Sequence, residues 1–260
     1  MPDESKATEG TLGVLRWGAV TDIGRVREEN QDAFAVEPEA GLFMVADGMG
    51  GHRGGAAAAE IVARDLPAMI ELALEKRRSR SPRSIRRTLK KLIHDQNRDV
   101  HEEGSDVSEH AGMGATLALI LLREGRVYAA NAGDSRIYRL RDGRLAQLST
   151  DHSVVAELVE SGMIDPDQAN EHSMAGVITQ YMGMPEGVEP LVRSLALKCG
   201  DRFLLCTDGL TDMIDDERIA EILKAGEEPG TACKGLVEAA NDAGAHDNVT
   251  VVVVDWNGRH

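Results

Sequence analysis

Four aspartates of this chain sit where an apolar segment ends or begins: Asp47 in "LFMVADG", Asp134 in "VYAANAGD", Asp208 in "RFLLCTDG" and Asp247 in "HDNVTVVVV". Strand ends are places where side chains distant in sequence can converge on one cleft. Taken singly, each aspartate also reads as turn chemistry, and for Asp142-Gly143 that is the whole reading. Taken together in one cleft, the carboxylates could not stay ionised without cations. All-oxygen ligation with no cysteine or histidine cluster favours hard ions, Mg²⁺ or Mn²⁺. Two such ions about 3.5–4 Å apart lower the pKa of a bridging water enough to make it a nucleophile near neutral pH. That chemistry suits hydrolysis of a phosphate ester.

The stretch "VADGMGGHRGGAAAAEIVA", residues 45 to 63, runs from an apolar strand through glycines into an alanine-rich helix. Glycines at such a corner let the backbone come close to a small group. A Walker A loop needs Gly-Lys-Ser/Thr before its helix, and none is present. Gly48, Gly50 and Gly54 form a loose dinucleotide pattern. That pattern would require a second strand with an acidic residue about 20 positions on. The chain continues instead as helix through "LPAMIELALEKRR". Asp47 has no part in either motif and an obvious one as a metal ligand.

The elements that must position these residues follow from the apolar patterning. Strands are predicted at "LRWGAV", "DAFAVE" and "LFMVA", then helices over about residues 53 to 78 and 82 to 103. A second group of strands spans "ATLALILL", "VYAANA", "RIYRL" and "RLAQL", with hairpin signals at "REGR" and "RDGR". Residues 153 to 188 are less regular, with a helix expected at "SVVAELVESG". "VRSLAL", "RFLLC", two helices and the strand "NVTVVVVDW" complete the order. This succession predicts an α+β fold, sheets covered by helices, in one domain over residues 14 to 258 after a flexible tail at 1 to 13. Aromatics are 3% of the 260 residues, so the core must rest on aliphatic side chains.

The opening "MPDESKATEG" lacks an apolar h-region, so no signal peptide is expected. No apolar run reaches the length of a membrane span. Three cysteines without metal-ligand spacing fit reduced thiols in a cytosol, and the cytoplasm is the expected location. The net charge of −15 argues against nucleic-acid binding. Against it stands the basic run "KRRSRSPRSIRRTLKK", residues 76 to 91, read as solvated helix ends around a polar turn at Ser79 to Ser84. Docking to an acidic partner or an anionic surface is the alternative.

"RVREENQDAF", "VADGMGG", "GATLALILL", "ANAGDSRIYRL", "STDHSVV", "LLCTDGLTD" and "HDNVTVVVV" resemble, in order, the blocks of metal-dependent serine/threonine protein phosphatases of the PPM (type 2C) class. "DGMGGH" is similar to the bacterial branch. The resemblance spans about residues 14 to 256. It implies a four-layer α-β-β-α sandwich, two mainly antiparallel sheets flanked by helix pairs, and a cofactor set of two or three Mg²⁺ or Mn²⁺ ions. It further implies that Asp47 bridges two metals, that the Gly48 carbonyl binds one, and that Asp208 and Asp247 bind the other. Asp32 matches a carboxylate that holds metal-bound waters, and Asp134 with Asp208 matches a third-metal site. Arg27 matches the arginine that grips the substrate phosphate, for which a guanidinium fork is suited. The implied reaction is attack of the metal-bridging water on phosphoserine or phosphothreonine, opposing a serine/threonine kinase in signalling. The implied partner is a phosphorylated protein, the kinase itself or its targets, with no nucleic acid and no membrane span, and the chain is expected to be a monomer.

The other phosphatase chemistries lack their residues. A covalent cysteine site needs arginine six positions on, where this chain has Leu205, Asp212 and Ala239, and "GDSRI" lacks the histidine of the other large serine/threonine class. Met49 stands where eukaryotic relatives have a proton-donating histidine, which leaves His52, at the helix start, as a candidate donor. The segment 153–188 corresponds to a mobile flap, with Gln180 in place of an arginine and no proline after His172. Asp151 and His152 are read as its polar anchors. A catalytically silent binding module and a small-molecule phosphohydrolase are the rival functions.

Overall fold

The apolar runs pair into two antiparallel sheets. The computed structural model describes residues 6–50, 52–76, 80–106, 112–169 and 172–258. The first sheet joins β1 (Lys6–Leu12), β2 (Leu15–Asp22), β8 (Arg136–Arg141), β9 (Arg144–Gln147), β11 (Asp201–Cys206) and β12 (Val249–Trp256) in the order β1-β2-β12-β11-β8-β9. The second joins β3 (Asp32–Glu37), β4 (Leu42–Met49), β6 (Leu117–Arg123), β7 (Arg126–Ala132) and β10 (Leu191–Ala196) in the order β10-β7-β6-β4-β3, and the short β5 (Gly114–Ala115) also pairs with β4. Helices α1 (His52–Glu75) and α2 (Pro82–Asp106) cover the second sheet. α5 (Asp216–Ala225) and α6 (Pro229–Asp242) cover the first. The architecture is the four-layer α-β-β-α sandwich.

Strand alternation explains the layering. In β4, Leu42, Met44 and Ala46 pack beneath α1 and α2, while Phe43 and Val45 point into the interface between the sheets. In β12, Val251 and Val253 pack beneath α6, and Val252 and Val254 meet Phe43 and Ile120 of the facing sheet. The unbroken valine run is thus a strand buried on both faces. The Glu124-Gly125 and Asp142-Gly143 hairpins carry positive φ at both central residues (51° and 68°, 51° and 74°), the geometry that matches strand twist.

Several boundaries differ from the sequence reading. Residues 6–12, expected as part of a flexible tail, form β1 on β2, and residues 1–5 lie outside the described part. The predicted strand "ATLALILL" divides at Thr116, where the Asp47 N–H bonds the threonine hydroxyl. The polar turn expected at Ser79 to Ser84 is shorter, because α2 already begins at Pro82. Ser81 caps it by accepting the Ser84 N–H at 3.3 Å, with proline in the first helical position. Arg77, Arg78 and Ser79 lie outside the described residues. The helix expected in the flap is α3 (Val154–Glu160), capped by Ser153. Among the described residues no helix is long and apolar enough to cross a membrane.

Candidate metal centre

Asp47 does not end its strand. β4 runs on to Met49, and the β3–β4 register sets Asp32 directly opposite Asp47. Two carboxylates facing each other across a ladder repel unless something positive lies between them. Beyond Asp47, Gly48 pairs with Ala115. A Cβ on Gly48 would stand 2.2 Å from the Gly55 carbonyl oxygen in the first turns of α1, so only glycine lets helix and strand approach this closely. The other aspartates arrive from elsewhere: Asp134 two residues beyond β7, Asp208 as the first residue of the short α4 (Asp208–Thr211), and Asp247 two residues before β12. With Arg27, from the loop between β2 and β3, Asp47, Gly48, Asp134, Asp208 and Asp247 line one cavity of about 370 Å³.

Polar residues that sequence reasoning did not single out hold this set in place. The buried Thr207 donates to Asp32 Oδ2 at 2.9 Å and accepts the Thr250 backbone N–H at 3.0 Å. Thr250 shares a 2.6 Å hydroxyl contact with Thr21. Thr116 accepts the Asp47 N–H at 2.9 Å and bonds the Ser135 hydroxyl at 2.7 Å. Asn248 accepts the Gln31 N–H at 2.8 Å and donates to the carbonyls of Ile23 and Glu29, both at 3.0 Å. It thereby fixes the loop that carries Arg27 to the start of β12. Thr250, buried just before the valine run of β12, was the available signal: a lone hydroxyl at a buried strand position needs a partner.

The electrostatics are those of negative charge brought together in low dielectric. Burial first, then the charges of Asp32 and Asp208, hold Asp47 well above the usual carboxylate range. Burial pushes Asp32 up to about 7, against the lowering influence of the nearby Thr250 and Thr207 hydroxyls. Burial and the charge of Asp208 push Asp134 up to about 7. Burial, then Asp212, raises Asp208 to about 6. One buried oxygen each of Asp32 and Asp208 has no hydrogen-bond partner. Orphaned carboxylate oxygens beside raised carboxyls are the donor set of a hard cation, so the residues fit Mg²⁺ or Mn²⁺. Among the described residues no three acidic, histidine or cysteine side chains already close around a single point. Both oxygens of Asp247 are engaged, by Arg27 Nη2 at 2.6 Å and by the Asn248 N–H at 2.8 Å. Asp247 therefore reaches a cation only through its remaining lone pairs or by releasing Arg27.

The other expected residues divide. Met49 lines the cavity. His52 begins α1, but its side chain lies outside the described part. Gln180 accepts the N–H of Glu189, the residue just after the flap, at 2.7 Å. Asp151 accepts from Arg136 (2.7 Å from Nη2) and from Gln147 at 2.7 Å. His152 joins two parts of the site. Its Nδ1 accepts the Gly133 N–H at 3.2 Å, next to Asp134, and its carbonyl accepts the Thr179 N–H at 2.8 Å, next to the cavity-lining Ile178. Removing the ring takes away the bond to the Gly133 N–H and leaves the loop that carries Asp134 held through the Gly133 carbonyl, which accepts the His152 N–H at 3.0 Å, and so loosens it. We expect His152→Ala to weaken Mn²⁺ binding about tenfold by calorimetry, with His152→Asn recovering most of it through its side-chain oxygen. Equal affinity in all three proteins would show that His152 does not position Asp134.

The sequence matches the protein phosphatase 2C family over residues 25–239. It is 33% identical over 242 residues to protein phosphatase PhpP of Streptococcus pneumoniae, covering 92% of this chain and 96% of that protein. Among solved structures it is similar to the serine/threonine phosphatase of S. agalactiae, with 33% identity and a TM-score of 0.84 over 93% of this chain and 99% of that one. It is also similar to the catalytic domain of the serine/threonine protein phosphatase PstP in complex with two manganese ions. There the identity is 35% and the TM-score 0.78, over 94% of this chain and 99% of that one.

Proposed function

As a member of the protein phosphatase 2C family, this chain is a metal-dependent serine/threonine phosphatase, and we propose that the cavity between Asp47, Asp208, Asp247 and Arg27 is where it cleaves phosphoserine and phosphothreonine in proteins. The observation that carries this reading is the convergence of raised, partly orphaned carboxylates with one guanidinium on a single cavity.

In this reading Asp47, the Gly48 carbonyl, Asp208 and Asp247 would hold two cations, Asp47 contributing to both. Asp134 and Asp208 would hold a third. Bound Mg²⁺ or Mn²⁺ would supply a water of lowered pKa and positive charge beside the phosphoryl group. The chain's own residues do the rest. Asp32 keeps one oxygen anchored by Thr207 and leaves the other free to accept from a water and orient it. Arg27 uses one of its five N–H donors on Asp247, so the others can fork to phosphate oxygens and hold the group in line. A bond forms between the water oxygen and phosphorus, the bond from phosphorus to the serine or threonine oxygen breaks, and that oxygen takes up a proton. The products are inorganic phosphate and the free hydroxyl. The activity reverses that of a serine/threonine kinase, and the substrate is the kinase or its targets.

Turnover of phosphothreonine and phosphoserine peptides by purified protein in Mn²⁺, beside a phosphotyrosine peptide and ATP, tests this. The two peptides are expected to be preferred. A preference for ATP would make the protein a small-molecule phosphohydrolase, and no turnover by folded, metal-loaded protein would make it a binding module. Arg27→Ala is expected to lower kcat/KM for the phosphothreonine peptide about 10²-fold, the worth of a pair of charge-assisted hydrogen bonds. Arg27→Lys, which keeps the charge but loses the fork, should fall between them. An unchanged kcat/KM in Arg27→Ala would remove Arg27 from the site.

A further inference from the structure

The first three turns of α2 present Arg83, Arg86, Arg87, Lys90 and Lys91 to the surface. Spacings of three and four residues align them on one helix face, opposite the buried Ile85, Thr88, Leu89 and Ile93. No acidic residue interrupts this stripe before Asp95. Lys91 pairs with Asp95, while the side chains of Arg83, Arg86, Arg87 and Lys90 make no hydrogen bond or ion pair among the described residues. Helix stability alone would not put them there. The N-terminal end of a helix carries the positive pole of its dipole and favours acidic side chains, yet the first turn of α2 has none. Arg83 and Arg87, Arg86 and Lys90, and Arg87 and Lys91 also repel as like charges four residues apart. In a chain of net charge −15, a cationic stripe held against both effects points to a negative ligand.

Resting on the phosphatase reading above, we propose that this stripe docks an acidic segment of the protein substrate, separate in sequence from the phosphorylated residue. The apolar face of α2 is buried in the core, so the helix cannot sink into a lipid surface. A flat membrane or a nucleic-acid duplex would also bring its own negative charge against the rest of this acidic protein. An extended acidic strand touches the stripe alone. The stripe is remote from the cavity. α1 starts beside it, just after the cavity-lining Gly50, and runs for 24 residues, about 36 Å, before α2 packs back along it. Farther along α2, Asn97 and His101 reach the flap at Gly183 and Met184. A substrate therefore needs on the order of ten extended residues between its phosphorylated side chain and its acidic segment.

The test uses the full chain and one phosphothreonine peptide, with and without six glutamates attached through a Gly/Ser spacer of about twenty residues. The acidic tail is expected to lower KM about tenfold at low salt without changing kcat. It should lose that effect in about 0.5 M NaCl and in the variant Arg83→Ala/Arg87→Ala/Lys90→Ala, whose kinetics on the untailed peptide stay those of the parent. Should that variant not fold by circular dichroism, Arg86→Ala/Lys91→Ala takes its place. Fluorescence anisotropy of the tailed, unphosphorylated peptide reads docking without turnover, so an inactive enzyme would count against the phosphatase reading and leave this one measurable. The proposal is overturned if the tail changes neither KM nor binding, or if its effect survives the substitutions. It is equally overturned if phosphatidylserine vesicles or a DNA duplex bind the stripe more tightly than the tailed peptide does.

Discussion

Asp47→Asn is expected to lower turnover of a phosphothreonine peptide by about 10³-fold or more, and at the same time to raise the melting temperature of the metal-free protein at pH 8. The two effects have one cause. Asp47 lies inside β4, opposite Asp32 and within the field of Asp208, and burial holds its carboxyl well above the usual range. In the absence of cations the fold disfavours its charged form, so keeping the group there at pH 8 costs stability. On the proposed assignment it would hold the bound cations, whose charge offsets its own. Asparagine keeps the shape and loses the charge, so the metal-free fold is relieved while metal affinity collapses. Most substitutions at a packed position destabilise, which makes the opposite sign diagnostic. Turnover within tenfold of the parent, or a lower melting temperature in chelator at pH 8, would remove Asp47 from the metal centre.

The second large effect follows from withdrawing the metals and has a definite pH dependence. In the metal-free protein Asp32 and Asp134 are pushed up to about 7 and Asp208 to about 6, each from an ordinary value of 3.8. A group whose pKa is raised by folding favours the folded state while it is protonated. Its contribution is fully present below about pH 4 and is lost as pH rises through about 6 to 7. In chelator, then, the melting temperature should fall between pH 5 and pH 8, the reverse of the usual carboxylate contribution. Saturating Mn²⁺ should hold it nearly level, because bound cations favour the ionised carboxylates. At pH 8 the difference is expected to be about 10 °C, from about 4 kcal/mol of binding free energy spread over a domain of this size. Peptide hydrolysis should disappear in the same chelator and return with Mn²⁺. A pH-independent gap between the two melting curves would show that the carboxylates are not the groups the cations neutralise.

Much of this was legible because particular residues leave little choice. The valine run of β12 can only be a strand covered on both sides, and "RDGR" can only be a tight turn between strands. The aspartates stood out because each interrupts or borders such a run. Their partnership was not legible from spacing, since it depends on the β3–β4 register that sets Asp32 against Asp47, a relation between two strands. Local signals placed Asp47 at the end of its strand, but the ladder continues, because β5 offers Gly48 and Met49 a partner from more than sixty positions away in the chain. Thr207 and Asn248 escaped notice for a related reason. A hydroxyl and an amide have no chemistry of their own to advertise, and their importance lies in the carbonyls, amides and carboxylate they reach. The first strand was missed because "KATEGTL" has no buried face to give it alternation, and it pairs at a sheet edge through its backbone.

The position of β12 in the first sheet has a consequence for how the enzyme is made. It lies between β2, near the start of the chain, and β11, and it brings Asp247 and Asn248 with it. Within these two sheets β12 comes last in chain order, and pairing across so long a separation forms slowly. Until that strand slots in, Arg27 lacks its ion pair with Asp247, its loop lacks the Asn248 bonds, and the gap in the sheet bares the valines that would fill it. On the proposed assignment a growing or half-folded chain would be silent toward phosphoproteins, and a cation bound by the finished carboxylate cluster would report the completion of the fold.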